Sequence, residues 1–271
     1  CWDSHQVVFF FCFGFAAKAK KENEYVSLNR VGKMQGMKLK ISRKHYFLST
    51  YMTKPFHSTL SYSLPPGEKF PPEMLQSLKS ANAQYAKTRD FEQYRRKMAT
   101  LLGHDPDANI GTESLKHYYG GFLEGEASVL VSVKKSEGSR FGAYFDPEFN
   151  VTQHVNGSLH LYFCLCYFRT GLIRHKNKSN ATLVYTIDNR QTLKEKVVPF
   201  YREYVNPNAC RPKRERFENW VKMLDLFDQD AHLDYKRFVY EMGPIWDKMR
   251  MQKGQKNETF PSFEDFEQYV Y

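Results

Sequence analysis

The order of hydrophobic patterns in this 271-residue chain predicts an α+β fold, one antiparallel four-stranded sheet with helices packed on a single face. Three observations carry that expectation. Apolar residues alternate with polar ones from Ser128 to Thr152, the two-residue period of half-buried strands. A second strand pair, GLIRHK and ATLVYTID, follows a helical segment, GSLHLYFCLCYF. Helical sequence precedes and closes the array, so the order from Thr112 is αββαββα, then further helices.

The elements follow in chain order. Residues 1–70 form an extension to which the pattern assigns no structure. Its apolar run VVFFFCFGFAA is too short to span a membrane and has no basic stretch before it, so it reads as the remnant of a leader. The basic segment from Lys18 to Lys44 fits either an unstructured tail or an arm for nucleic acid. The prolines of SLPPGEKFPPE mark a boundary, and residues 71–110 form a helical lead-in. There EMLQSLKSANAQYAK and DFEQYRRKMATLLG are two helices, the second with Asp90 as N-cap and Gly103 as its stop. Residues 111–271 form the main domain.

That domain opens on the helix containing YYGGFLEGEAS. Each of its adjacent glycines costs roughly 0.5–1 kcal/mol in a helix interior, so the helix needs something only glycine allows. Gly121 and Gly125 stand at the GxxxG spacing that lets two helix backbones approach closely, and Gly120 adds to the small surface. Without further context this describes a packing helix. If two such helices cross, Glu124 and Glu126 at their ends meet and offer hard oxygen ligands for Mg2+, which activates water and stabilises a leaving phosphate oxygen.

On the two leading strands Val129, Val131, Val133, Phe145, Phe149 and Val151 point towards the helices. Ser128, Ser132, Lys134, Tyr144, Asp146, Glu148, Asn150 and Thr152 then face outward, as either a solvated sheet face or a reading face in the DNA major groove. On the second reading Asn150 pairs with adenine, Lys134 with guanine, and Asp146 or Glu148 with the cytosine amino group. On the fourth strand, Ala181 and Leu183 are expected to add apolar contact on that side. QTLKEKVVPFYREYV reads as a helix broken at Pro199, and ERFENWVKMLDLF and DYKRFVYEMGPIWDKM close the chain.

Composition agrees with a polyanionic partner. Lysine and arginine outnumber the acids 40 to 30, a formal charge of +10, and phosphate neutralisation supplies most non-specific nucleic-acid affinity. A hydrophobic fraction of 41% excludes a disordered chain. The five cysteines form no CxxC pair or zinc spacing and indicate a reducing compartment.

The motif YGGFLEGEAS with this element order resembles the LAGLIDADG homing endonucleases, over residues 112–250. The resemblance implies a saddle-shaped sheet and a site-specific double-strand DNA endonuclease of the group I intron-encoded type. One motif copy implies a homodimer on a long pseudo-palindromic site, without a membrane, in an organelle (chloroplast or mitochondrion) or the bacterial cytoplasm. The same family includes RNA-binding maturases that bind host intron RNA, and catalytically inactive DNA-binding relatives. Carried over by position, Glu126 is the metal-binding acid and the Gly125 carbonyl its neighbouring ligand. Gln153 orders water near the scissile phosphate, and Lys213, with Arg214 as the alternative, supports the hydrolytic water. Glu124 is either a helix-end acid or one that supports the metal ligands from behind, and Arg174 with Lys176 resembles the family's base-contacting basic pair. Departures are the glutamates in place of aspartates, Ala127 in place of a glycine, and His154 to Gly157 where some relatives carry an arginine.

Overall fold

The computed structural model describes residues 64–65, 67–108, 110–250 and 259–271; the apolar run and basic segment near the start lie outside them. The lead-in helices are α1 (Pro72–Thr88) and α2 (Phe91–Leu102). The Asp90 side chain caps α2 by accepting from the Gln93 N–H, and Gly103 ends it with φ at 72°, a left-handed conformation that glycine adopts without strain. Helix α3 (Glu113–Glu126) is capped by Thr112, whose hydroxyl accepts from the Leu115 N–H.

At Ala127 the backbone becomes extended, and β1 (Ala127–Lys135) begins with no intervening turn. It pairs antiparallel with β2 (Ala143–His154), Ala127 opposite Val151 and Lys135 opposite Ala143. Buried helix α4 (Ser158–Phe168) crosses to β3 (Leu172–His175) and β4 (Thr182–Ile187), completing a sheet in the order β1-β2-β4-β3. Pro147 lies within β2, where its missing N–H is tolerated because β4 pairs with β2 only from Phe149 onward. Val129, Val131, Val133, Phe145, Phe149 and Val151 are all buried, as the alternation predicts. The phase expected for β4 is corrected: Ala181 and Leu183 point into the core, and Thr182, Val184 and Thr186 take the other face. The larger apolar side chains of TLVYTI, at Leu183, Tyr185 and Ile187, set that phase by their burial.

Each sheet edge is met by side chains from outside the sheet, which satisfies some of the unpaired strand groups there. Along β3, Asn82 Nδ2 donates to the Ile173 carbonyl at 3.0 Å, the Ile173 N–H donates to the Tyr94 hydroxyl at 3.0 Å, and that hydroxyl donates to Asn82 Oδ1 at 2.8 Å. Along β1, Arg216 donates to the Val129 carbonyl at 2.7 Å and to the Met249 carbonyl at 2.6 Å. The lead-in helices are therefore part of the sheet's cover, and all described residues fall in one compact unit. Tyr94→Phe leaves the buried Ile173 N–H without its acceptor, and an expected loss of about 1–3 kcal/mol is readable by urea denaturation.

The helical stretch 190–208 (α5) is not broken at Pro199. It widens into π turns at Leu193–Val197 and Tyr201–Val205 and continues through the proline. Proline cannot donate to the carbonyl four residues back and its ring crowds that carbonyl, so a wider turn relieves both defects. Helix α6 (Arg211–Asp228) follows. The stretch 235–250 (α7) repeats the device, with a π turn at Phe238–Met242 ahead of Pro244. A short helix that the pattern did not predict, α8 (Phe263–Tyr269), closes the chain and packs Phe266 against Phe145, Phe238 and Trp246. Among the described residues no helix is long and apolar enough to cross a membrane.

Candidate active site and nucleic-acid face

The glycines of α3 divide between two tasks. A Cβ on Gly120 would lie 2.2 Å from the Tyr204 carbonyl oxygen, so this residue admits the backbone of α5 within the same chain. Gly120 was expected beside Gly121 and Gly125 on a surface between copies; it is buried by its own chain instead. A Cβ on Gly121 or Gly125 would meet nothing within 4 Å, and both residues are exposed. With His117 and the half-exposed Tyr118 they make an open stripe along α3.

The last turn of α3 meets the start of α6. Lys213 Nζ donates to the Gly125 carbonyl at 3.2 Å, and the Cys210 N–H donates to Glu124 Oε1 at 3.4 Å. That carbonyl belongs to the final turn of a helix, where oxygens lack intrahelical partners and carry the negative end of the dipole. It therefore draws cations, and the lysine ammonium contacts it through one of the oxygen's two lone pairs. The exposed Glu126 carboxylate has no hydrogen-bond or ion-pair partner among the described residues.

Gln153 stands two residues past Val151, the partner of Ala127, so the pairing carries the end of β2 alongside the end of α3. A Cβ on Gly157 would come within 2.8 Å of Gln153 Oε1, so this glycine makes the room the amide occupies. Direct hydrogen bonds thus join Lys213 to Gly125 and the Cys210 amide to Glu124, and so bring the start of α6 to the end of α3. Glu126 and Gln153 flank them without a bond to the cluster. Among the described residues Arg214, the alternative to Lys213, shows no such contact with α3; its backbone N–H donates to the Cys210 carbonyl.

The outward sheet face is a linked polar surface. Lys134 pairs with Asp146 and lies 3.6 Å from Glu148, and Asn150 Nδ2 donates to Glu148 Oε2 at 3.2 Å. Hydrogen bonding to Asp146 holds the Lys134 pKa above its ordinary value against the opposing effect of burial. Ser132 Oγ and Asn150 Oδ1 are buried within this face without a partner among the described residues. Ser128 and Tyr144 are exposed, and Thr152 is half-buried. Arg174 on β3 and Lys176 just beyond it are exposed, with no side-chain ion pair among the described residues. Sequence reasoning missed Thr182, Val184 and Thr186 of β4 on this side, and it gave no sign of the Glu124–Cys210 bond, which joins residues 86 apart.

The sequence profile of the family described as LAGLIDADG endonuclease matches residues 119–224. The DNA endonuclease I-CeuI of Chlamydomonas moewusii is 50% identical over 204 residues, which are 75% of this chain and 93% of that protein. The structure of the group I intron-encoded homing endonuclease I-CeuI complexed with DNA superposes with a TM-score of 0.73 at 48% identity, covering 76% of this chain and 99% of the other. An archaeal intron-encoded homing endonuclease complexed with DNA, I-Vdi141I, shares the fold at a TM-score of 0.52 and 21% identity, over 58% of this chain and 96% of that one. Half the aligned residues are retained along nearly the whole of the curated relative, and the profile match begins inside α3 and runs into α6. On these grounds the chain belongs to the LAGLIDADG endonuclease family.

Proposed function

We propose that this protein is a homing endonuclease that cuts both strands of a long pseudo-palindromic DNA site as a Mg2+-dependent homodimer. The observation that carries the proposal is the end of α3. There a Glu126 carboxylate without a partner among the described residues adjoins a carbonyl already bound to a cationic group, in a chain half-identical to a DNA endonuclease. The donors fit a hard divalent cation, which takes about six oxygens. One chain offers the Glu126 carboxylate and the Gly125 carbonyl, and no cluster of three or more His, Cys, Asp or Glu side chains suited to a metal gathers among the described residues. The remaining oxygens would be supplied by phosphate, water and the second copy. A magnesium ion held there supplies Lewis acidity and sharpens the acidity of bound water.

The chain's own groups do the rest. Lys213 keeps positive charge beside the reacting phosphate, and Gln153 directs water with its amide. The stripe of Gly121 and Gly125 receives the same stripe of a second copy, which brings the two Glu126 ends together. The outward face from Ser128 to Thr152, with Arg174 and Lys176, lies along the major groove. The free thiols of Cys164, Cys166 and Cys210 fit a reducing compartment, organellar or bacterial.

The test is cleavage of a randomised duplex library by the purified protein, with Mg2+ or with EDTA. Cut products sharing one long sequence, in Mg2+ alone, are expected; tight DNA binding with no cleavage in any divalent ion refutes an endonuclease. The same library reads Arg174→Ala. As a base contact it costs on the order of 1–3 kcal/mol and relaxes preference at one position per half-site. A uniform loss with a shallower salt dependence assigns Arg174 to phosphate instead.

A further inference from the structure

The segment that leads into α6 is fastened to one face of α3 at three successive turns. Lys116 Nζ lies 5.7 Å from the centre of the Tyr204 ring, Gly120 admits the Tyr204 carbonyl, and Glu124 accepts the Cys210 amide. Residues four apart share a helix face, so these are fasteners in a row. The last of them is nearest to Lys213. Only Arg211 and Pro212 separate Cys210 from that lysine, and the proline, inside the first turn of α6, stiffens the link by fixing its own φ. The direction in which Lys213 leaves the backbone is therefore set by where the Cys210 amide is held.

Resting on the endonuclease reading above, we infer that Glu124 is a positioning residue. Its carboxylate holds the start of α6 through the Cys210 N–H, so that the Lys213 ammonium stands at the Gly125 carbonyl, and it does not bind the metal itself. The role needs an acceptor oxygen and does not need a charge. A metal ligand at the same position needs the charge. That difference makes the two roles separable.

Single-turnover cleavage of the target duplex is measured across a Mg2+ titration with the full chain. Glu124→Ala is expected to slow cleavage about 10-fold or more while the Mg2+ midpoint and the DNA Kd stay where they are. Glu124→Gln, which keeps an oxygen in place, restores most of the rate. With Lys213→Met already present, Glu124→Ala adds little, because both changes disable one unit. Protection of the Cys210 amide from hydrogen exchange gives a readout independent of activity: it falls in Glu124→Ala and holds in Glu124→Gln. If the alanine variant does not fold, Glu124→Asp, one methylene short of the amide, takes its place with the same expected directions. A glutamine variant as slow as alanine with a raised Mg2+ midpoint overturns the inference. So does full additivity with Lys213→Met, or unchanged Cys210 protection in the alanine variant. A normal rate for Lys213→Met alone refutes the reading of the site instead, a distinct outcome.

Discussion

Glu126→Gln is expected to abolish cleavage while leaving DNA affinity equal or higher. The side chain is exposed and has no partner among the described residues, so its loss breaks no bond among them. What it removes is the anionic oxygen that, with the Gly125 carbonyl, forms the cation-seeking end of α3. Loss of transition-state charge stabilisation of this kind costs at least about 10²–10³-fold in rate. The fold should melt unchanged, because the amide is isosteric with the carboxylate. Affinity should hold or rise, since a negative charge beside phosphates has gone. Gel shift and cleavage on the same duplex separate the two effects. Cleavage within tenfold of the parent would take Glu126 out of the active site.

The adjacent glycines should respond in opposite ways. In Gly120→Ala the new methyl would sit 2.2 Å from the Tyr204 carbonyl oxygen, a backbone atom that cannot swing aside. Overpacking of that kind costs about 1–3 kcal/mol, and the fold should melt earlier, with α5 displaced from α3. In Gly121→Leu the new Cβ meets nothing within 4 Å, and a poor helix former is replaced by a good one. The single chain should keep or gain stability, by up to about 1 kcal/mol. Association should weaken at least about 30-fold, and cleavage should fall with it, because no second copy can approach closely. Thermal melts and sedimentation of the two variants form one experiment. A dimer of undiminished strength in Gly121→Leu would leave the open stripe without a role.

Much of this architecture is legible in the sequence because the sheet buries one face only. Alternation from Ser128 to Thr152 fixes strand identity, phase and the outward residues at once, and Thr112, Asp90 and Gly103 punctuate the helices by chemistry that acts within four residues. Where the reading strays, long-range contacts decide. Gly120 and Gly121 are indistinguishable in the sequence; only the return of Tyr204, 84 residues after Gly120, tells them apart. Pro199 is a helix breaker by local rule, but the packing of Val197, Val198 and Phe200 in the core keeps the helix running through two π turns. The β4 phase was open to reading, since Leu183, Tyr185 and Ile187 outweigh the threonines that alternate with them. The site residues drawn from family resemblance depend on the meeting of α3 with α6, and the Lys213 bond to Gly125 is invisible to any local pattern.

The passage from Glu126 to Ala127 without a turn has a metrical consequence. Glu126 and Ala127, the first residue of β1, are neighbours along one backbone, with no turn between them. On the function proposed above, a displacement along the groove that shifts Ser128 or Ser132 to a different base carries Glu126 the same distance along the phosphates. Reading frame and cut point thus share a single ruler about one peptide long at its origin. An enzyme built this way can change which letters it reads by exchanging side chains on β1 and β2, while the offset between text and incision stays constant.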